Sequence, residues 1–161
     1  MARIYNFSAG PSTLPLPVLE QVQEQLVDYH GAGLSLIEAS HRGPHYSEVH
    51  EAAGQALRKL LGLPDSYHVL WLQGGATLQF AMIPMNLLHG GGKADYTNTG
   101  SWAKKAIADA SKLGDVYVTY DGSEENFTSL PAASEVRARP EAVYLHLTSN
   151  ETIGGVQWQE W

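Results

Sequence analysis

Four stretches of this 161-residue chain place hydrogen-bonding or ring-bearing side chains where a small anionic ligand would need them. The first, Gln73-Gly74-Gly75-Ala76-Thr77, joins an apolar run to a helical pattern. Two glycines let backbone approach a ligand closely, and a helix start offers unpaired N–H groups with partial positive charge. Each such interaction with a charge is worth about 0.3–1 kcal/mol, so a phosphate needs several amides together. Thr77 would add a hydroxyl, although the stretch lacks the lysine-serine/threonine ending of a P-loop. The second stretch, Asn98-Thr99-Gly100-Ser101-Trp102, sets an indole in the first turn of the next helical pattern, where it can stack on a planar ring. The third, Thr148-Ser149-Asn150-Glu151-Thr152, is a run of small hydrogen-bonding side chains able to address ring substituents. The fourth, Ser40-His41-Arg42-Gly43, carries a guanidinium suited to two-pronged binding of carboxylate or phosphate, with His41 as a second donor.

Taken singly, each has a plainer reading. The glycine pair can be a tight turn, Trp102 can cap a core, the 148–152 run can cap a turn, and Arg42 can sit in a surface ion pair worth about 0–1 kcal/mol. No metal site is expected. The histidines at 30, 45, 50, 68, 89 and 146 show no paired ligand spacing backed by carboxylates, and Gly43-Pro44 separates His41 from His45. The absence of cysteine excludes disulfides, thiolate nucleophiles and thiolate metal sites, and fits a cytosolic protein.

The elements that must position these residues follow from periodicity. Residues 1–16, with Gly10-Pro11 and Pro15, read as an irregular arm, leaving 17–161 for the domain that follows. Val18, Val22, Leu26 and Tyr29 predict a helix from Pro17 to about His30, ended by Gly31 and Gly33. Val49, Ala53, Ala56, Leu57 and Leu60 predict a second, from about Tyr46 to Leu61. Strands are then expected at 67–72, 94–98, 116–120 and 143–147, alternating with helices at 76–88, 101–113 and 132–137. The helix at 76–88 is apolar nearly all round, so it is expected to be buried, with a kink at Pro84. This alternation predicts an α/β fold with a mostly parallel sheet, in which ligands bind beyond the carboxyl ends of the strands.

Composition narrows the partners. Net charge is −7, a field that repels nucleic acid and anionic membranes, so an anionic ligand must be held by locally placed donors. No apolar run approaches the ~20 residues of a membrane span, and the N-terminus lacks the apolar core of a secretory signal.

Together the motifs resemble those of the phosphoserine aminotransferases, in order and spacing across essentially the whole chain. The carrying residues are Asn6-Phe7-Ser8-Ala9-Gly10-Pro11, Ser40-His41-Arg42-Gly43, Gln73 to Phe80, Gly100-Ser101-Trp102 and Ser149 to Gln157. The resemblance implies a pyridoxal-phosphate fold of type I, seen here as part of its large domain. It implies that Ala76 and Thr77 hold the cofactor's phosphate, Trp102 stacks on its ring and Thr152 bonds near the ring oxygen. Arg42 would bind the acidic groups of substrate, with His41 assisting. Ala9 stands where some members carry a substrate-touching serine, and Thr77 where others carry arginine.

The implied reaction moves an amino group between glutamate and 3-phosphohydroxypyruvate, in serine biosynthesis, by an enzyme similar to homodimeric family members. The lysine that would hold the cofactor covalently, and the aspartate paired with the ring nitrogen, are expected downstream of Trp161. None of the lysines at 59, 93, 104, 105 and 112 lies in the family's lysine motif. The polypeptide alone is therefore expected to lack activity, and the strand at 67–72 to lack its partner. A non-catalytic phosphate-binding fragment and a related cysteine desulfurase are the competing readings.

Overall fold

The computed structural model describes residues 3–160, so Trp161 and the first two residues of the expected arm lie outside it. The chain divides into two compact units, Met1–Trp71 and Leu72–Trp161.

The first unit is helical. Helix α1 spans Leu16–Gln25, opening with a proline in its first turn. It stops short of the expected His30, because the Tyr29 amide donates to Leu34 O (2.9 Å) instead of continuing the helix, and His30 takes a positive φ of 52°. Helix α2 spans Pro44–Leu61 and ends on Gly62, whose φ of 61° closes it with an N–H bond to Arg58 O. The Ser40-His41-Arg42 stretch precedes α2 as a turn: Ser40 Oγ accepts from the Arg42 amide (3.3 Å) and Ser40 O from that of Gly43 (2.8 Å). The expected strand at 67–72 joins no ladder among the described residues. Its side chains stay open, with Tyr67, Leu70, Trp71 and Leu72 all more than half exposed. A strand exists only through its partner, and nothing in the described residues takes that place.

The second unit is an α/β layer. Helix α3 spans Gly75–Leu87, strand β1 Lys93–Asn98, helix α4 Ser101–Ala110, strand β2 Asp115–Asp121 and strand β3 Tyr144–His146. The three strands form a parallel sheet in the order β2-β1-β3. The helix expected at 132–137 is only a 3-10 turn over Ala133–Glu135. As the middle strand, β1 is buried from Ala94 to Asn98, although three of those residues are strongly polar or phenolic. Each of these has a partner. Asp95 pairs with Arg139, Tyr96 and Tyr144 share a hydroxyl bond of 2.7 Å, and Asn98 donates to Asp121 (2.9 Å). Burial, then the bond to Tyr144, push the Tyr96 hydroxyl well above its ordinary pKa.

Helix α4 lies close to the sheet because its inner face is all alanine: Ala103, Ala106 and Ala110 are fully buried. They join Leu88, Ala94 and Tyr96 in the core, with Phe80, Ile107, Val116 and Tyr144 packed around them. The expected burial of α3 is not found. Only Pro84 of that helix is buried, and Leu78, Met85 and Leu87 remain exposed. An all-round apolar helix needs cover on every side, and this unit covers α3 chiefly on the side that carries Phe80.

Candidate functional site

The starts of α3 and α4, together with the carboxyl end of β3 and the residues that follow it, line an open cavity of about 400 Å³. Ala76, Thr77 and Phe80 line one side, Trp102 another, and the stretch from His146 to Asn150 with Thr152 the rest. Four residues singled out in the sequence, Ala76, Thr77, Trp102 and Thr152, thus share one wall-to-wall space. Arg42 and His41 belong to the other unit, where both are exposed and Arg42 makes no ion pair among the described residues.

The start of α3 is built to present amides. Gly74 precedes the helix at φ 85°, a conformation that L side chains rarely adopt, and an added Cβ would lie 2.5 Å from Leu78 Cβ. No side chain caps this terminus, and the first helical bond runs from the Leu78 amide to Gly74 O (3.2 Å). The amides of Gly75, Ala76 and Thr77 are thereby left without intrahelical partners at a helix start.

Trp102 and Thr152 are joined directly, with the indole Nε1–H donating to Thr152 Oγ1 (2.8 Å). The threonine keeps its own O–H free to donate. The Lys105 ammonium lies over one face of the indole, 4.4 Å from the ring centroid, which leaves the other face for a stacking partner. At the back of the cavity His146 stacks on Tyr96, with centroids 4.7 Å apart, and meets Phe80 edge-on. Two buried polar atoms among the lining residues, Thr148 Oγ1 and His146 Nδ1, have no hydrogen-bond partner among the described residues. Buried polar groups are nearly always satisfied, so this pair is available to the polar atoms of a ligand or of water.

In the sequence His146 has no more ligand pairing than the other histidines, and Glu151 appears only as part of a motif. The available signal for His146 was its place at the carboxyl end of an expected strand. For Glu151 it was the glycine before α4, a residue that cannot cap a helix with a side chain.

Burial holds the His146 imidazole below the ordinary histidine value of 6.5. The folded state therefore binds fewer protons than the unfolded state as pH falls through 6.5, and stability declines in that direction. The contribution is full above the unfolded value and is lost between it and the lower folded value. Thermal melts of the chain between about pH 7.5 and 5.5 are expected to show a falling midpoint. His146→Gln should flatten that slope, and an equal slope in both proteins would refute the assignment.

A family model described as aminotransferase class-V matches residues 4–161. The chain belongs to the class-V aminotransferases. Among curated relatives, the phosphoserine aminotransferase of Nitrosomonas europaea is 51% identical over 159 residues, which is 99% of this chain and 43% of that protein. The solved phosphoserine aminotransferase from Bacillus circulans subsp. alkalophilus superposes with a TM-score of 0.93 at 50% identity, covering 99% of this chain and 44% of that one. A pyridoxal-phosphate-bound phosphoserine aminotransferase from Trichomonas vaginalis gives 0.88 at 35% identity, over 99% and 45% of the two chains. This class-V chain thus spans less than half the length of the relatives it matches.

The donor set suits pyridoxal phosphate. A phosphate needs amides and hydroxyls, which the α3 terminus and Thr77 offer, and a flat heteroaromatic ring needs a stacking face, which Trp102 offers. Ring substituents need polar contacts, and Thr148, Thr152 and His146 present them within the same cavity.

Proposed function

We propose that this chain forms part of the cofactor site of a phosphoserine aminotransferase, which exchanges an amino group between glutamate and 3-phosphohydroxypyruvate. The observation that carries the reading is the convergence of Ala76, Thr77, Trp102 and Thr152 on one cavity, with orphaned polar atoms of Thr148 and His146 beside them. The relatives named above are phosphoserine aminotransferases, which favours this substrate class over a sulfur-transferring one.

Pyridoxal phosphate bound there would supply an electron sink for bond breaking at the substrate's α-carbon. The chain's own residues would do the holding. The open amides of α3 and the Thr77 hydroxyl would bind the phosphate, replacing water by fixed donors at a positive helix end. Trp102 would cover one ring face and keep water from it, while Thr152, oriented by the indole, would donate to a ring oxygen. Arg42 and His41 are assigned to the acidic groups of the substrate, on the two-pronged chemistry of a guanidinium and the second donor of an imidazole. No lysine lines the cavity among the described residues, so these side chains bind and orient the cofactor and form no covalent bond to it.

Titration of the full chain with pyridoxal phosphate, followed by absorbance near the visible edge, tests this. A saturable spectral change is expected, and Thr77→Val should weaken binding roughly tenfold, as for a lost bond to a charged group. Borohydride should fix no cofactor to the chain. The absence of a saturable change, or identical titrations of the two proteins, would overturn the assignment.

A further inference from the structure

The first turn of α4 needs acceptors that its own sequence withholds, since the residue before it is Gly100 and no side chain within the helix caps it. Glu151, only 1% exposed, supplies them from the far side of the cavity rim. Its Oε2 accepts from the Trp102 amide at 2.8 Å and its Oε1 from the Ala103 amide at 2.8 Å, with Thr99 Oγ1 at 3.5 Å from the same oxygen. Gly100 leaves room for this carboxylate. Its φ is 155°, and an added Cβ would come within 2.7 Å of Glu151 Cδ.

The loop that carries Glu151 is itself closed. The Glu151 amide donates to Val156 O (2.9 Å), the Gly155 amide donates to Glu151 O (2.7 Å), and Asn150 bridges to Gln157. Two successive residues thus grip one: Glu151 holds the backbone of Trp102, and Thr152 accepts from its ring.

We propose that Glu151 is a positioning residue for the candidate site. It touches no ligand. Its carboxylate fills the positive end of α4 and locks the Trp102 ring against the Thr152 hydroxyl, while the start of α3 stays open to a ligand's anion. The ring and the hydroxyl come from elements about 50 residues apart in sequence, and Glu151 is the buried charge that fixes their separation. This rests on the cofactor reading for what the site holds. The lock itself exists without ligand and is measurable without it.

The test is the indole N–H resonance of Trp102 in the ligand-free full chain, assigned by its loss in Trp102→Phe. Glu151→Gln keeps the size of the side chain but turns an NH2 group toward one of the two backbone amides. In that variant the Trp102 indole resonance should move toward the position of a free indole and exchange faster with solvent. Affinity for pyridoxal phosphate should fall about tenfold, as for a lost charge-assisted bond. Glu151→Asp, shorter by one methylene, should show the same two changes and serves if the glutamine variant does not fold. A folded variant with an unmoved indole resonance overturns the proposal, even if it is less stable. So does a moved resonance with unchanged affinity. Failure of the cofactor reading looks different: the unsubstituted chain would show no titration, whatever its indole resonance does.

Discussion

Replacing Asp95 with alanine is expected to lower the melting temperature of the chain by roughly 10 °C, the scale set by removing one partner of a buried ion pair from a protein of this size. Asp95 is fully buried in the middle strand, and its carboxylate accepts from both the backbone amide and the Nε of Arg139. The same guanidinium reaches Asp115 Oδ2 (3.2 Å), Ala94 O (3.2 Å) and Asp115 O (3.3 Å). One arginine therefore ties together the amino ends of β1 and β2. Without Asp95 it remains partly covered, with its main partner gone and an empty space behind it. Asp95→Asn preserves the shape and one acceptor, so its loss should be smaller. The pair lies at the end of the strands opposite the cavity, so cofactor affinity measured well below the melting point should change little. A melting temperature unchanged in Asp95→Ala would show that the pair only breaks even against solvent.

Trp102→Ala is expected to reduce affinity for pyridoxal phosphate by roughly 30- to 100-fold, the scale of a lost aromatic stack plus the water that enters in its place. The substitution removes both the ring face and the N–H donor that orients Thr152. Trp102→Phe separates the two: a face remains while the donor is lost, and affinity should drop only about fivefold, as for one neutral hydrogen bond. Equilibrium titration of the three proteins gives the ordering directly. Equal affinity in all three would remove Trp102 from the site.

Much of this arrangement was readable from residue types. The glycine pair before α3, the strand–helix alternation and the small polar run after β3 all follow local rules of turn chemistry and periodicity, and α2, α3, α4 and the three strands appear within about three residues of their expected bounds, while the helix expected at 132–137 is only a 3-10 turn. What escaped depended on distant partners. The run at 67–72 has the apolar pattern of a strand, but pattern cannot show whether a neighbour exists to bond it. The apolar α3 promised burial, which depends on what covers it. The last five residues of the first expected helix were diverted by one bond from Tyr29 to Leu34 O. Glu151 was visible as a letter in a motif, yet its bonds reach amides 48 and 49 positions away. The orphaned atoms of His146 and Thr148 likewise have meaning only beside a cavity.

The strand order β2-β1-β3 also fixes an order of assembly. Strand β1 can zip to β2 after closing the short α4 loop, but its other edge must wait for β3, whose Tyr144 lies 48 residues beyond Tyr96. Loop closure is entropically unfavourable before the distant contacts form, so the second ladder forms late. The residues from His146 to Thr152 follow β3 directly. During synthesis on a ribosome, the helix starts and the indole would therefore stand ready before the wall that follows β3 arrives.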